Sequence, residues 1–299
     1  MSVEQIRQLA PETWSFPELQ TALDAEVAAH CATRVPALNL DASGWGLTYC
    51  RELDADRDAW RFTEATDLEE LRAVREGLRW KDPSGGEWWP LVEGRLFYQL
   101  EFPAAEQEPR YWVNGDEVRA IEARHWKDGT SAMEHYRVAW RDVASATNER
   151  SAIATVLPPR TAAKDSALTV FGGSLDLRRS LRLAALMCSL TFDYLIRFAG
   201  KTHLKYAAVD NARAPSAEDL DGLEELAIEV LSSSAEFTEA WHALRGKEEP
   251  PSLDSWEIAR KRGQIDARVA FAYGLTLEQF AAVTSSFSNI DRSEPMLPG

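Results

Sequence analysis

The amino-acid sequence predicts a mixed α+β fold: a central β-rich domain flanked by helices, with a helical C-terminal region. Three observations predict it. Short segments rich in aromatic and β-branched residues gather between residues 91 and 171. Apolar residues recur at helical spacing before and after them. Punctuation falls at both changes of character, Pro83–Gly86 on one side and Gly172–Gly173 on the other. The chain therefore divides into an N-terminal connector and helical segment (1–85), a β-rich core (86–175) and a helical region (176–299).

Each element has its own signal. Ser15 with Glu18 has capping-box spacing, and Leu19, Leu23, Val27 and Ala28 continue at helical intervals. A second helix is expected from Thr66, with Glu69 three residues on, ending near 83–86. Strands are expected at 91–101, 110–113, 135–142, 152–157 and 167–171. Ser174 or Asp176 then caps a helix that Gly200 closes. Further helices are expected at 217–232, 235–245, 252–272 and 276–286, the last two joined by Tyr273–Thr276.

Composition limits the function. With 45% hydrophobic and 27% charged residues the chain reads as an ordinary globular protein. No apolar run reaches the roughly 18 residues of a membrane span, and the N-terminus lacks the regions of a secretory signal. Cys31, Cys50 and Cys188 are too scattered for a disulfide framework or a zinc site, so a cytoplasmic location without a metal or other cofactor is expected. The net charge of −15 speaks against a nucleic-acid partner. Its distribution tempers this, since residues 90–210 hold 16 basic and 15 acidic residues and leave 17 basic and 33 acidic outside.

Catalytic motifs are not found. Phe171–Ser174 lacks the spacing of a cofactor-binding glycine turn. Leu157-Pro158-Pro159-Arg160 lacks the polar first and aromatic last residue of the loop that holds a flipped base in amino-methyltransferases. No P-loop, HExxH or GxSxG occurs. The chain is therefore not expected to be an enzyme.

The most specific pattern is YRVAWRDVASATNERSAIATVLPP at 136–159. Others are IRQLAPETWSFPELQTALDAEVAAHCATRVP at 6–36, PLVEGRLFYQ at 90–99 and PRYWV at 109–113. CSLTFDYLIRFAGKTHL at 188–204 and Ile265-Asp266-Ala267 with AFAYGLT complete the series. In this order the blocks resemble the target-recognition region of type IIG restriction–modification enzymes and of the adenine-specific DNA methyltransferases of BREX phage-defence systems. Cys188, Lys205 and the NARAP run at 211–215 depart from that pattern. In the family a methyltransferase domain precedes these blocks, whereas here they begin within ten residues of Met1. The resemblance thus implies a stand-alone specificity subunit, or a fragment. Its core over 86–175 would recognise double-stranded DNA, and a separate methyltransferase, with nuclease or translocase subunits, would catalyse methylation. The alternative is an acidic assembly protein that binds a methyltransferase complex without reading DNA.

The candidate DNA-binding residues follow from chemistry and position. Arg137, Arg141 and Arg150 carry bidentate donors for guanine or phosphate. Strand alternation puts Arg137, Ala139 and Arg141 on a basic face opposite Tyr136, Val138 and Trp140. For Arg141 the competing reading is an internal ion pair with Asp142. Thr147 and Asn148 can meet base edges, though Asn148 also suits a plain turn. Arg95, beside Glu93 and Gly94, belongs to a turn near the nucleic acid, and Gln99 is a weaker base reader. Lys201, His203 and Lys205 follow a helix end and can grip phosphates, with a structural histidine as the competing reading for His203. Trp80, Trp88, Trp89, Trp112, Trp126 and Trp140 suit core packing better than base stacking.

Overall fold

The computed structural model describes residues 21–125, 131–143, 149–171, 176–198 and 203–287. Two antiparallel sheets carry the middle of the chain. The first has the order β1 (Tyr49–Cys50), β9 (Ala167–Val170), β6 (Arg137–Arg141), β7 (Ala154–Leu157). Its register places Val138 between Val156 and Val170, and Trp140 between Ala154 and Leu168. β-Branched and apolar side chains thus meet across strands, which is where a sheet gains most of its stability. The second sheet runs β2 (Val74–Glu76), β3 (Arg79–Lys81), β4 (Glu87–Val92), β5 (Trp112–Asn114). The short β8 (Ala162–Ala163) joins the end of β4 in parallel.

Helices cover both sheets. α1 is Ala22–Arg34, capped by Thr21, whose hydroxyl accepts from the Asp24 amide. The expected Ser15–Glu18 cap lies outside the described residues. α2 (Ala65–Glu70) is much shorter than expected, because the chain turns at Gly77 and returns as the β2–β3 hairpin. α3 (Gly115–His125) packs on β4 and β5. A Cβ at Gly115 would lie 2.8 Å from the Trp89 indole, so glycine lets the helix start against that ring.

The long helix expected after residue 176 is two helices, α4 (Leu177–Cys188) and α5 (Leu190–Arg197). Asp176 caps the first by accepting from the Arg179 amide. Ser189 is extended at ψ 150° and ends the first while capping the second, accepting from the Phe192 amide at 3.3 Å. α6 (Tyr206–Asp210), α7 (Leu223–Leu231), α8 (Thr238–Arg245), α9 (Ser255–Ala272) and α10 (Leu277–Ser285) follow. α4 lies on β6 and β7, and α7 and α9 lie on α4.

The main core runs from Val27 to Phe287 and draws on all three sequence segments. The expected boundary at 85/86 falls inside the β3–β4 hairpin, where Trp80 pairs with Trp88. Trp89 and Trp140 are fully buried, and Trp80 and Trp112 meet edge to face at 5.9 Å, so these four indoles pack inside the fold. Trp88 is partly buried, and Trp126 lies outside the described residues. Among the described residues no helix is long and apolar enough to cross a membrane, and no group of three metal-ligating side chains assembles.

Burial pushes the Cys31 thiol up to about 12 and the Cys188 thiol up to about 11. Thiolate is the reactive species, so both should resist iodoacetamide at neutral pH in the native protein and react after unfolding in urea. Peptide mapping before and after unfolding checks this, and native-state labelling at either position would contradict the burial.

Candidate nucleic-acid interface

The exit of β4 builds the first part of the candidate site. Val92 ends the strand, and Glu93 leads into a single 3-10 turn, Gly94–Leu96. Gly94 donates to the Ser166 hydroxyl at 3.2 Å. A Cβ at Gly94 would sit 3.0 Å from the Ser166 carbonyl oxygen and 3.4 Å from Arg141 Cγ. Glycine therefore allows the β4 exit to lie directly against the end of β6 and the β8–β9 turn.

Cations gather on that contact. The Glu93 carboxylate, largely shielded from solvent, meets Arg95 Nε and Lys164 Nζ, each at 3.2 Å, and Arg110 Nε at 3.9 Å. Arg95 is also held by the Gln107 side chain at 3.0 Å and by the Glu108 carbonyl at 2.9 Å. One residue beyond β6, Asp142 plays the same part. Its carboxylate takes Lys205 Nζ at 2.5 Å and faces His203 Nδ1 at 3.3 Å. Its carbonyl accepts from the Leu204 amide at 2.7 Å, and its own amide donates to the Ser166 carbonyl at 3.2 Å. Ser166 thus ties the two halves together.

Arg141 lies between them. Its Nη2 donates to the Phe97 carbonyl, and its guanidinium faces the Phe97 and Tyr98 rings at 5.8 and 5.5 Å. Burial holds its pKa below the usual arginine value. The expected Arg141–Asp142 ion pair is not formed; the carboxylate goes to Lys205 and His203 instead.

The result is a rim of Arg95, Arg110, Arg141, Lys164 and Lys205, with His203, over two shielded carboxylates. Arg110 and Lys205 are the most open, with 64% and 59% of the side chain exposed. Pairs that reach solvent contribute about 0–1 kcal/mol each, so Arg110 and Lys205 can exchange a carboxylate for a phosphate readily. Four of the expected residues meet here: Arg95, Arg141, His203 and Lys205. Arg110 and Lys164 were missed by sequence reasoning, although Arg110 stands in the PRYWV block and Lys164 in the turn between two expected strands. Thr147, Asn148 and Lys201 lie outside the described residues.

Three expectations are corrected. Arg137 is not on an exposed basic face: β6 is interior to its sheet, and Arg137, Val138, Ala139 and Trp140 are all 0% exposed. Its guanidinium instead binds Glu52 through Nε at 2.5 Å and Nη2 at 2.8 Å, and the Thr161 carbonyl at 2.8 Å. Arg150 is likewise buried, 3.5 Å from the Asp266 carboxylate. Gln99 is buried too and donates to the Ala152 carbonyl at 3.2 Å, so it reads no base.

Much of the 136–159 pattern therefore works inside the fold. Asp193 accepts from the Ser151 and Ala152 amides at 2.9 and 3.3 Å and pairs with Arg197 at 3.3 Å. Asp266 accepts from the Leu190 amide at 2.7 Å. Trp140 Nε1 donates to the Leu204 carbonyl at 2.7 Å. The blocks at 90–99, 136–159, 188–204 and 265–267 thus meet through their polar residues. Desolvation raises the pKa of both Asp193 and Asp266.

Neither the family models nor the curated proteins searched contain a match to this chain.

Proposed function

We propose that the protein is a DNA-recognition subunit whose cationic rim docks on the phosphate backbone of a duplex. A separate adenine methyltransferase would supply the chemistry. The observation that carries this reading is the convergence of Arg95, Arg110, Arg141, Lys164, His203 and Lys205 around the Gly94–Ser166 contact. Electrostatic binding of DNA needs such a local cluster, and the overall charge of −15 does not prevent one. The resemblance of the ordered sequence blocks to the recognition regions of restriction–modification and BREX methyltransferases points the same way. The shielded Glu93 carboxylate holds the less exposed Arg95 and Lys164 in place, which lowers their ordering cost on binding.

The test is fluorescence anisotropy with a randomised duplex pool at low and moderate salt, with and without a candidate methyltransferase subunit, followed by sequencing of the bound fraction. Salt-sensitive binding that enriches one sequence is expected. An absence of binding in every condition would refute the reading.

A second reading, an assembly protein, has its own observation. Phe271 and Leu277 expose 84% and 85% of their surface on the helical region. Phe271 borders a cleft lined by Asp219, Leu220, Asp221, Leu223, Ala267 and Arg268. Capture of the methyltransferase subunit that Phe271→Ser abolishes, with no DNA binding by the parent, would favour this reading.

A further inference from the structure

Beneath the rim, Tyr98, Gln99 and Leu100 close over a small cavity against Glu149, Arg150, Cys188, Arg262, Ile265 and Asp266. We propose that this cavity binds one phosphate group, held by the guanidinium groups of Arg150 and Arg262. No part of the proposal depends on the DNA reading above.

Unmet donors carry the argument. The Arg150 side chain is 6% exposed, and its Nη1 is buried without a hydrogen-bond partner. Arg262, one turn before Asp266 on α9, donates through Nη2 to the Gln99 carbonyl, and its Nε is likewise buried and unpartnered. A buried donor without a partner costs about 1–3 kcal/mol, and more when it belongs to a charged group. Two on adjacent arginines lining one cavity mark a place where an acceptor belongs.

Charge agrees with this. Two guanidinium groups, of Arg150 and Arg262, line the cavity. Against them stand two buried carboxyls, Asp193 and Asp266, and both are already engaged by backbone amides. Burial raises both carboxyl pKa values and lowers that of Arg262. Glu149 is the carboxylate at the mouth; it is exposed and lies 3.5 Å from the Tyr98 hydroxyl. Cys188 donates its thiol to the Ala154 carbonyl and stays neutral. The space of about 50 Å³ exceeds what a single water needs and suits one compact anion group. Guanidinium donors favour oxyanions, whose paired oxygens match their fork.

Thermal unfolding in rising inorganic phosphate, against sodium chloride at equal ionic strength, tests the site. The parent should gain about 5 °C at a hundredfold excess over Kd, and Arg262→Gln should lose the part of the shift that saturates. Equal shifts in both proteins would reduce phosphate to a general salt effect and overturn the proposal. Because Arg262→Gln can fail to fold, crystals of the parent soaked in selenate give a second measurement. An anomalous peak within hydrogen-bond distance of Arg150 Nη1 supports the site; a water-sized peak or none overturns it. Competition against a labelled duplex separates this cavity from the rim. Arg150 is buried, so the group is a free ion, and half-saturating phosphate should leave DNA binding undisturbed. Displacement of the duplex at that concentration would put the anion on the rim and overturn the proposal. A parent that never binds DNA would sink the recognition reading and leave the phosphate result standing.

Discussion

Replacing Arg137 by alanine is expected to destabilise the protein by about 3–5 kcal/mol, the typical cost of breaking a buried ion pair by removing one partner. Both side chains of the Arg137–Glu52 pair are 0% exposed. Among the described residues, the substitution leaves the Glu52 carboxylate with a single hydrogen bond, from the Ala163 amide at 2.6 Å. It also leaves the Thr161 carbonyl without its 2.8 Å donor. Urea denaturation followed by tryptophan fluorescence reads the loss directly. Joint replacement by Met at 137 and Leu at 52 should recover much of it, because well-packed apolar residues can substitute for a buried pair. If Arg137→Ala instead unfolds at the parent's urea midpoint and binds DNA less tightly, the burial argument is wrong and the residue belongs to the interface.

Arg137 also shows where sequence reasoning stops. Alternation correctly separates Arg137, Ala139 and Arg141 from Val138 and Trp140, but one strand cannot report whether its polar face is covered. Here Glu52, from a loop 85 residues earlier, and Thr161 cover it. The strands at 137–141, 154–157 and 167–170 were legible because β-branched runs between turns have few other solutions. The segment at 74–81 was not, since Arg, Glu and Leu favour a helix locally. Pairing of Trp80 with Trp88 and burial of Trp80 against Trp112 override that preference. The break at Ser189 hid inside continuous helical periodicity and depends on one hydroxyl that serves two helix ends. Of the site, the residue types and several positions were legible. The sorting of arginines into buried and open was not, because it depends on which carboxylate each one meets.

Removing three of the rim cations together gives the second large effect. Arg110, Lys164 and Lys205 each pair with a carboxylate at the base of the rim. Arg95 still meets Glu93 and His203 still faces Asp142, so joint replacement of the three by alanine should cost only about 0–1 kcal/mol per pair. DNA affinity should respond differently. Each phosphate contact contributes about −0.9 to the slope of log affinity against log salt, so losing three flattens the slope by about 2.7. Between about 50 and about 200 mM salt the parent should then lose roughly 40-fold more affinity than the variant. The effect should be uniform across sequences, because phosphate contacts position the protein and carry no base information. Arg150→Ala is the informative contrast: its side chain is 94% buried by the same measure that leaves Arg110 at 64% exposed, so it should lower the urea midpoint before it alters DNA binding. Anisotropy titrations at four salt concentrations, beside urea unfolding of each protein, separate the two classes. An unchanged salt slope in the triple variant would remove the rim from the interface and shift the reading to the acidic helical surface around Phe271.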